Sequence, residues 1–312
     1  MTAGPDHDLV IGVDIGGTKT AVAAVDGDGR AYAIRVAPTP AAEGAAAILD
    51  TAARLADEVR REAVGTIAAV GVGAPGVVDA RRGVVVSATD LLRGWAGTPV
   101  ADLLSERLGL PVAVDNDVRA AGLGEARHGT ASTGGLVLVV AVGTGIGGAV
   151  VREGVLLPGF SGVAGHLGHI PVPGVGDDLC SCGRRDHLEA AAAGPAILRA
   201  ARRAGLPVTT TAEVIALAES DPRAATVVTH AATVLGRALG GVANLLDPET
   251  VVVGGGVAEA GDVWWQPLRA AFHAELLPPA APALTPAVLG TRAGVIGAAA
   301  LARDLVNGRT LR

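Results

Sequence analysis

Aromatic side chains are scarce in this chain, with three Trp, one Tyr and two Phe among 312 residues. That scarcity excludes an aromatic binding platform. A basic excess is also missing: the formal net charge of −6 and a pI near 5.6 leave no positive field to attract a phosphate backbone, so nucleic acid is not an expected partner. Cysteine is limited to Cys180 and Cys182, too few for a disulfide framework. The opening M-T-A-G-P-D-H-D has no basic stretch followed by an apolar one, so no secretory leader is expected and a cytoplasmic location is. One uncharged run, Gly134 to Val151, approaches the roughly 20 residues of a membrane span. Its glycines and β-branched residues suit strand, turn and strand instead, and no membrane association is expected.

What is abundant is Ala, Val and Leu. Half of the residues are hydrophobic, and a chain of 312 residues can bury a large core of small side chains in two lobes. An internal echo supports two lobes. Leu9 to Asp14 reads as a buried strand, Gly16 to Thr18 as a turn and Thr20 to Val25 as a returning strand; Leu136 to Val142, Gly143 to Gly148 and Ala149 to Arg152 repeat that order. Helical spacing marks Glu43 to Glu62, Pro99 to Leu108, Val118 to Arg127, Glu189 to Ala204, Pro222 to Leu246 and Gly294 to Val306. Strands are expected at Ile67 to Val72, Pro111 to Val114 and Thr250 to Val253, with a Pro-rich break at Pro278 to Pro286. The alternation predicts an α/β fold with mainly parallel strands, ligand loops at their carboxyl ends and a site in the cleft between lobes.

His166 to Glu189 holds both cysteines and three of the seven histidines. Two thiolates one residue apart, flanked by imidazoles, can supply four tetrahedral ligands, and His169, Cys180, Cys182 and His187 form the natural set for a closed zinc site. Asp14-Ile15-Gly16-Gly17-Thr18-Lys19 is a glycine turn in which backbone N–H groups can approach an anion, joined by a hydroxyl and the chain's one lysine. It is not a Walker A loop, because Thr18 precedes the lysine and a strand follows. Gly143 to Gly148 satisfies G-x-G-x-x-G, yet no helix opens there and no acid lies about 20 residues on, so a dinucleotide site is excluded. A second phosphate-holding hairpin fits better. Gly254-Gly255-Gly256 ends a strand and serves either a nucleoside or a tight turn. Asp115-Asn116-Asp117 lies between strand and helix, where one carboxylate can cap the helix and the other can accept a proton from a hydroxyl.

Taken in order, D-I-G-G-T-K at Asp14 to Lys19, G-A-P-G-V-V-D at Gly73 to Asp79, Asn116-Asp117, G-T-G-I-G-G at Gly143 to Gly148, then G-x-x-H-L-G-H, C-x-C-G and Leu188-Glu189 resemble the ROK sugar kinases of the actin-like ATPase superfamily. The resemblance runs from residue 9 to 306. It implies a two-lobed, ribonuclease H-like α/β fold, with residues 1–118 and 292–312 in a small lobe and 119–291 in a large lobe carrying the zinc loop. It implies ATP-dependent phosphorylation of a hexose hydroxyl, usually O6, with Asp117 as the base. Gly76, Asn116, His166, His169 and Glu189 would then border the sugar; Asp14, Gly16, Gly17, Thr18, Lys19, Thr144 and Gly145 would face the phosphates and Mg2+, and Gly255 the nucleoside. The expected partners are a sugar and ATP, and the expected assembly is a homodimer or higher homo-oligomer. Some relatives are sugar-responsive repressors with a helix-turn-helix ahead of the first hairpin; eight residues before Leu9 are too few for one. A silent sugar-binding regulator would be expected to lose the base, and Asp117 is present.

Two positions depart from the family pattern. His166 stands where E-x-G-H usually places a glutamate, and His187 stands where a third cysteine is usual. His187 can still ligate zinc. His166 cannot accept from two sugar hydroxyls as a carboxylate does. The substitution points to a sugar altered at C2 or C3, such as the amino sugar kanosamine, or to a glucokinase that tolerates histidine.

Overall fold

The computed structural model describes residues 9–89, 91–130, 135–172 and 178–309. The first eight residues, on which the no-leader expectation rests, and Gly134 lie outside the described residues. The chain divides into two compact units: Met1–Thr133 with Ala149–Ala164 and Leu289–Arg312, and Gly134–Gly148 with Gly165–Val288.

In the first unit, β1 (Leu9–Ile15) buries nearly every residue, turns at the glycines into β2 (Lys19–Val25), and continues as β3 (Ala31–Pro38), whose residues alternate between half-buried and exposed. The amphipathic α1 (Ala45–Glu62) buries Ile48, Leu49, Ala52, Leu55, Ala56 and Val59. Then come β4 (Ile67–Ala74), the short hairpin β5 (Val77–Asp79) and β6 (Val84–Ser87), α2 (Val100–Leu108), β7 (Val112–Asn116) and α3 (Asp117–His128). The sheet order is β3-β2-β1-β4-β7. The expectation of mainly parallel strands holds for β1 with β4 and β4 with β7; β1 with β2 and β2 with β3 are antiparallel, because short turns can only return a strand alongside its predecessor.

The second half of the chain repeats this plan. β8 (Leu136–Val142) and β9 (Ile146–Arg152), formed by the uncharged run, are followed by β10 (Val155–Leu156). Helices α4 (Leu188–Ala192), α5 (Gly194–Arg203), α6 (Thr211–Leu217) and α7 (Pro222–Leu246) lead to β11 (Thr250–Gly254), α8 (Asp262–Glu275), β12 (Ala283–Pro286) and α9 (Ala293–Val306). The order β10-β9-β8-β11-β12 matches the first sheet strand for strand, which is the internal echo carried into topology. No helix among the described residues is long and apolar enough to cross a membrane.

Several boundaries differ from the sequence reading. The helix expected over Glu189 to Ala204 is two, because Ala193 turns extended at ψ 161° and Pro195 begins a new helix within its first turn. The Pro-rich break ends in β12, whose edge position tolerates Pro286. The sequence reading drew the small lobe's limits at residues 118 and 292; by packing, the first unit also holds α3.

The reason lies in a seam of bare backbone. Gly12 and Gly71 are register partners on β1 and β4, and α9 lies across them. A β-carbon on Gly12 would sit 1.9 Å from the Val295 carbonyl oxygen, and one on Gly71 would sit 1.7 Å from that of Ala298. Gly297 of α9 meets α3 in the same way, 1.7 Å from the Ala120 carbonyl oxygen. Gly71→Ala is therefore expected to destabilise the chain by about 1–3 kcal/mol or more in chemical denaturation. Gly241→Ala, on an exposed stretch of α7 with open space around it, is expected to stabilise by about 0.5–1 kcal/mol through helix propensity.

Candidate functional site

The first unit gathers its polar residues at the carboxyl ends of three parallel strands. Asp14, Gly73 and Asp115 are successive register partners on β1, β4 and β7. The turn between β1 and β2 closes with Gly16 N–H donating to the Lys19 carbonyl at 2.9 Å, and Thr39 Oγ1 braces it by donating to the Gly16 carbonyl at 2.8 Å. Thr18 and Lys19 are exposed. Asp14 is largely buried, and its carboxyl is pushed up to about 6, chiefly by desolvation, then by the nearby Asp117 charge, with Lys19 opposing.

The helix cap differs from the sequence reading, which gave cap and base to the two aspartates. Asn116 caps α3: its Oδ1 accepts from Arg119 N–H at 3.1 Å. Its Nδ2 donates to the Gly76 carbonyl at 3.0 Å and to Asp117 Oδ1 at 2.9 Å. Asp117 Oδ1 also accepts from Val118 N–H at 2.9 Å, while among the described residues no hydrogen bond engages Oδ2. Asp117 is half-buried, and desolvation of its recessed carboxyl holds it above the usual carboxylate range. Asp115 is instead buried against Arg119, 3.1 Å from Nη1. Burial pushes the Asp115 carboxyl up and the Arg119 guanidinium down, and each charge partly restores the other.

The second unit assembles two adjoining features. The β8–β9 turn places Thr144 on the surface and closes with Gly143 N–H donating to the Gly145 carbonyl at 2.9 Å. Glu189, in the first turn of α4, accepts from Ile146 N–H through Oε2 at 3.1 Å. Its other oxygen accepts from Ser181 Oγ and, at 3.4 Å, from Cys180 Sγ. Glu189 is thus a strut between the glycine turn and the cysteine loop, and a β-carbon on Gly145 would lie 2.6 Å from Oε2. Gly255 follows β11 at φ 90° and packs on the Val142 backbone, where a β-carbon would lie 2.3 Å from the Val142 carbonyl oxygen.

His169, Cys180, Cys182 and His187 converge, with one ligand atom from each lying within 4.8 Å of all the others. Cys180 Sγ is 3.4 Å from His169 Nδ1, and Cys182 Sγ is 3.2 Å from His187 Nδ1. A tetrahedral zinc with bonds of about 2.0–2.3 Å needs ligand atoms roughly 3.3–3.8 Å apart; this S2N2 set suits the metal in donor chemistry, its two sulfur–imidazole contacts lie near that spacing, and the set as a whole is looser, within 4.8 Å. Burial above all, then a hydrogen bond with the Cys182 side chain and the Glu189 carboxylate, push the Cys180 thiol up to about 11, with the Cys182 backbone N–H opposing. A bound cation would reverse that preference for the thiol form. His166 is half-buried, its ring 6.3 Å from that of His169 at an interplanar angle of 28°.

A sequence model of the ROK family matches residues 10–305. The chain belongs to the ROK family. It is 35% identical to a glucokinase of Halalkalibacterium halodurans over 95% of this chain and 96% of that one. Among solved structures, a ROK hexokinase from Thermus thermophilus superposes with a TM-score of 0.87 at 38% identity, covering 96% of this chain and 99% of that one. A ROK family glucokinase from Streptomyces griseus, solved with glucose and AMPPNP, gives 0.81 at 34% identity over 95% and 99%. The α/β fold of this ROK chain is accordingly that of the ROK sugar kinases.

Of the residues foreseen from sequence, the first unit brings together Asp14, Gly76, Asn116 and Asp117, and the second brings together Gly145, His169, Cys180, Cys182, His187 and Glu189. Sequence reasoning missed Arg119 and Ser181. The signal for Arg119 was an Asp and an Arg four residues apart in an apolar setting. Ser181 lies inside C-S-C and carried none.

Proposed function

We propose that this ROK sugar kinase transfers the γ-phosphoryl group of ATP to O6 of a glucose-type hexose, with Asp117 as general base. The observation that carries the reading is Asp117 itself: one oxygen is fixed by Val118 N–H and the Asn116 amide, and the other is left to accept the hydroxyl proton. Phosphoryl transfer asks little covalent chemistry of a protein, so positioning and charge neutralisation dominate. Gly76, Asn116, His166, His169 and Glu189 would orient the sugar. Glu189 can do so while serving as a strut, since a carboxylate has about four acceptor positions. The turns at Gly16, Gly17, Thr18 and Lys19 and at Thr144 and Gly145 would hold the phosphates, and Gly255 would border the nucleoside. Magnesium, held near Asp14, would neutralise phosphate charge. Zinc, held by His169, Cys180, Cys182 and His187, would fix the loop that presents His169 and Glu189.

The glucokinases among the relatives support a glucose-type acceptor, and His166 supports a change at its C2/C3 edge, with kanosamine as the proposed substrate. Kinetic constants for glucose, mannose, N-acetylglucosamine, glucosamine and kanosamine test this. We expect kcat/KM for kanosamine to exceed that for glucose by about tenfold, the scale of one or two polar contacts, and His166→Glu to reverse the order. A clear preference for glucose that His166→Glu leaves unchanged would refute the amino-sugar assignment.

A further inference from the structure

Asp115 and Arg119 form an ion pair whose side chains are each 1% exposed, yet Asp115 Oδ2 and Arg119 Nε and Nη2 have no hydrogen-bond partner among the described residues. Such a pair is poor evidence for stability, because desolvation offsets most of the attraction and well-packed apolar residues often serve as well. What the pair does is geometric. Arg119 Nη1 reaches 43 residues along the chain and donates to the Gly162 carbonyl at 3.0 Å. Gly162 sits at φ 74°, where a β-carbon would lie 2.8 Å from the Val78 carbonyl oxygen of β5, so the segment around it is seated closely on the first unit. On its other side, Asp115 Oδ1 accepts from Asn116 N–H at 2.7 Å, and Asn116 in turn holds Asp117. The pinned segment ends at Ala164, the last residue of the first unit before the chain enters the second at Gly165 and His166.

We infer that Arg119 is a positioning residue: through Asp115 and Asn116 it fixes the carboxylate of Asp117, and through Gly162 it fixes the segment that leads to His166. Arg119 is fully buried, so its effect is exerted on the placement of other groups. A single nitrogen, Nη1, makes both contacts, 3.1 Å from Asp115 Oδ1 and 3.0 Å from the Gly162 carbonyl, so carboxylate and carbonyl are tied through one point. The inference rests on the reading of Asp117 as the base.

The test uses the purified full chain with Arg119→Lys, Arg119→Met and the double variant Asp115→Asn/Arg119→Met, which leaves no uncompensated buried charge. Thermal melting, kcat, KM for hexose and ATP, and amide hydrogen exchange are measured on each. We expect the double variant to melt near the wild type while kcat falls by about 10–100-fold, the scale of a small misplacement of reacting groups. KM for ATP should be unchanged, exchange should quicken over residues 157–164 and the first turn of α3, and Arg119→Lys should recover part of kcat. A folded double variant with wild-type kcat and wild-type exchange overturns the inference; if that variant does not fold, the same result from Arg119→Met does. Full activity in Asp117→Asn would instead remove the base assignment, leaving exchange over 157–164 as the separate measure of the pinning.

Discussion

Replacing Asp117 with asparagine is expected to lower kcat by about 10²–10⁴-fold, the usual contribution of a positioned general base, while ATP affinity stays within a few-fold. Wild-type kcat/KM should fall on the acid side as the base takes up its proton. That limb should lie above 3.8, because desolvation raises Asp117, and desolvation with the Asp117 charge raises Asp14 to about 6. Two like charges that interact titrate as a pair, so the limb belongs to both carboxylates. The stability consequence has the opposite sign to that of a salt-bridged acid. Above the unfolded value near 3.8 and up to about 6, the folded chain holds protons that the unfolded chain has lost, so this contribution is present at low pH and disappears as pH rises through the window. Asp14→Asn should therefore raise the melting temperature at pH 7.5 and gain little at pH 4, even as phosphorylation is lost. A melting temperature at pH 7.5 below that of wild type would contradict the strained-carboxylate account.

Removing one of the four proposed zinc ligands should have the second large effect. In His187→Ala, bound zinc measured by elemental analysis is expected to drop from about one per chain to near zero. The loss of affinity should exceed the 10–100-fold that mutating an outer partner of a ligand typically costs. The effect should spread along a defined path. Cys180 and Ser181 both donate to Glu189, and Glu189 accepts from Ile146 of the β8–β9 turn. Hydrogen exchange should accordingly quicken first at 178–189 and then at 143–147, with α7 and α8 unaffected. Retention of full zinc in the variant would show that His187 is not a ligand.

The fold was legible wherever one face of an element is buried. The apolar runs of β1, β4 and β8 and the helical spacing of α1 and α7 announce themselves, because hydrophobic burial dictates their pattern. β3 did not: its half-exposed residues carry Tyr32 and Arg35 and form an edge, where burial imposes little. α8 was hidden by Pro267 in its interior, and β12 by the prolines around it. The convergence of His169, Cys180, Cys182 and His187 was legible because C-x-C beside histidines has few other uses. The pairing of Asp115 with Arg119 was not, since it depends on where β7 stops and α3 starts, and capping went to the asparagine between the two aspartates.

The first glycine turn has one more consequence. Lys19 is the sole lysine of the chain, and it is exposed at the start of β2. Apart from a terminal amine, reagents that acylate or cross-link primary amines have a single place to react. Routine amine coupling to a support or a dye would tether the protein by this turn. Attachment through a carboxylate or a thiol-directed tag leaves it untouched, and the mass shift from one acyl group becomes a direct count of how often the turn is accessible.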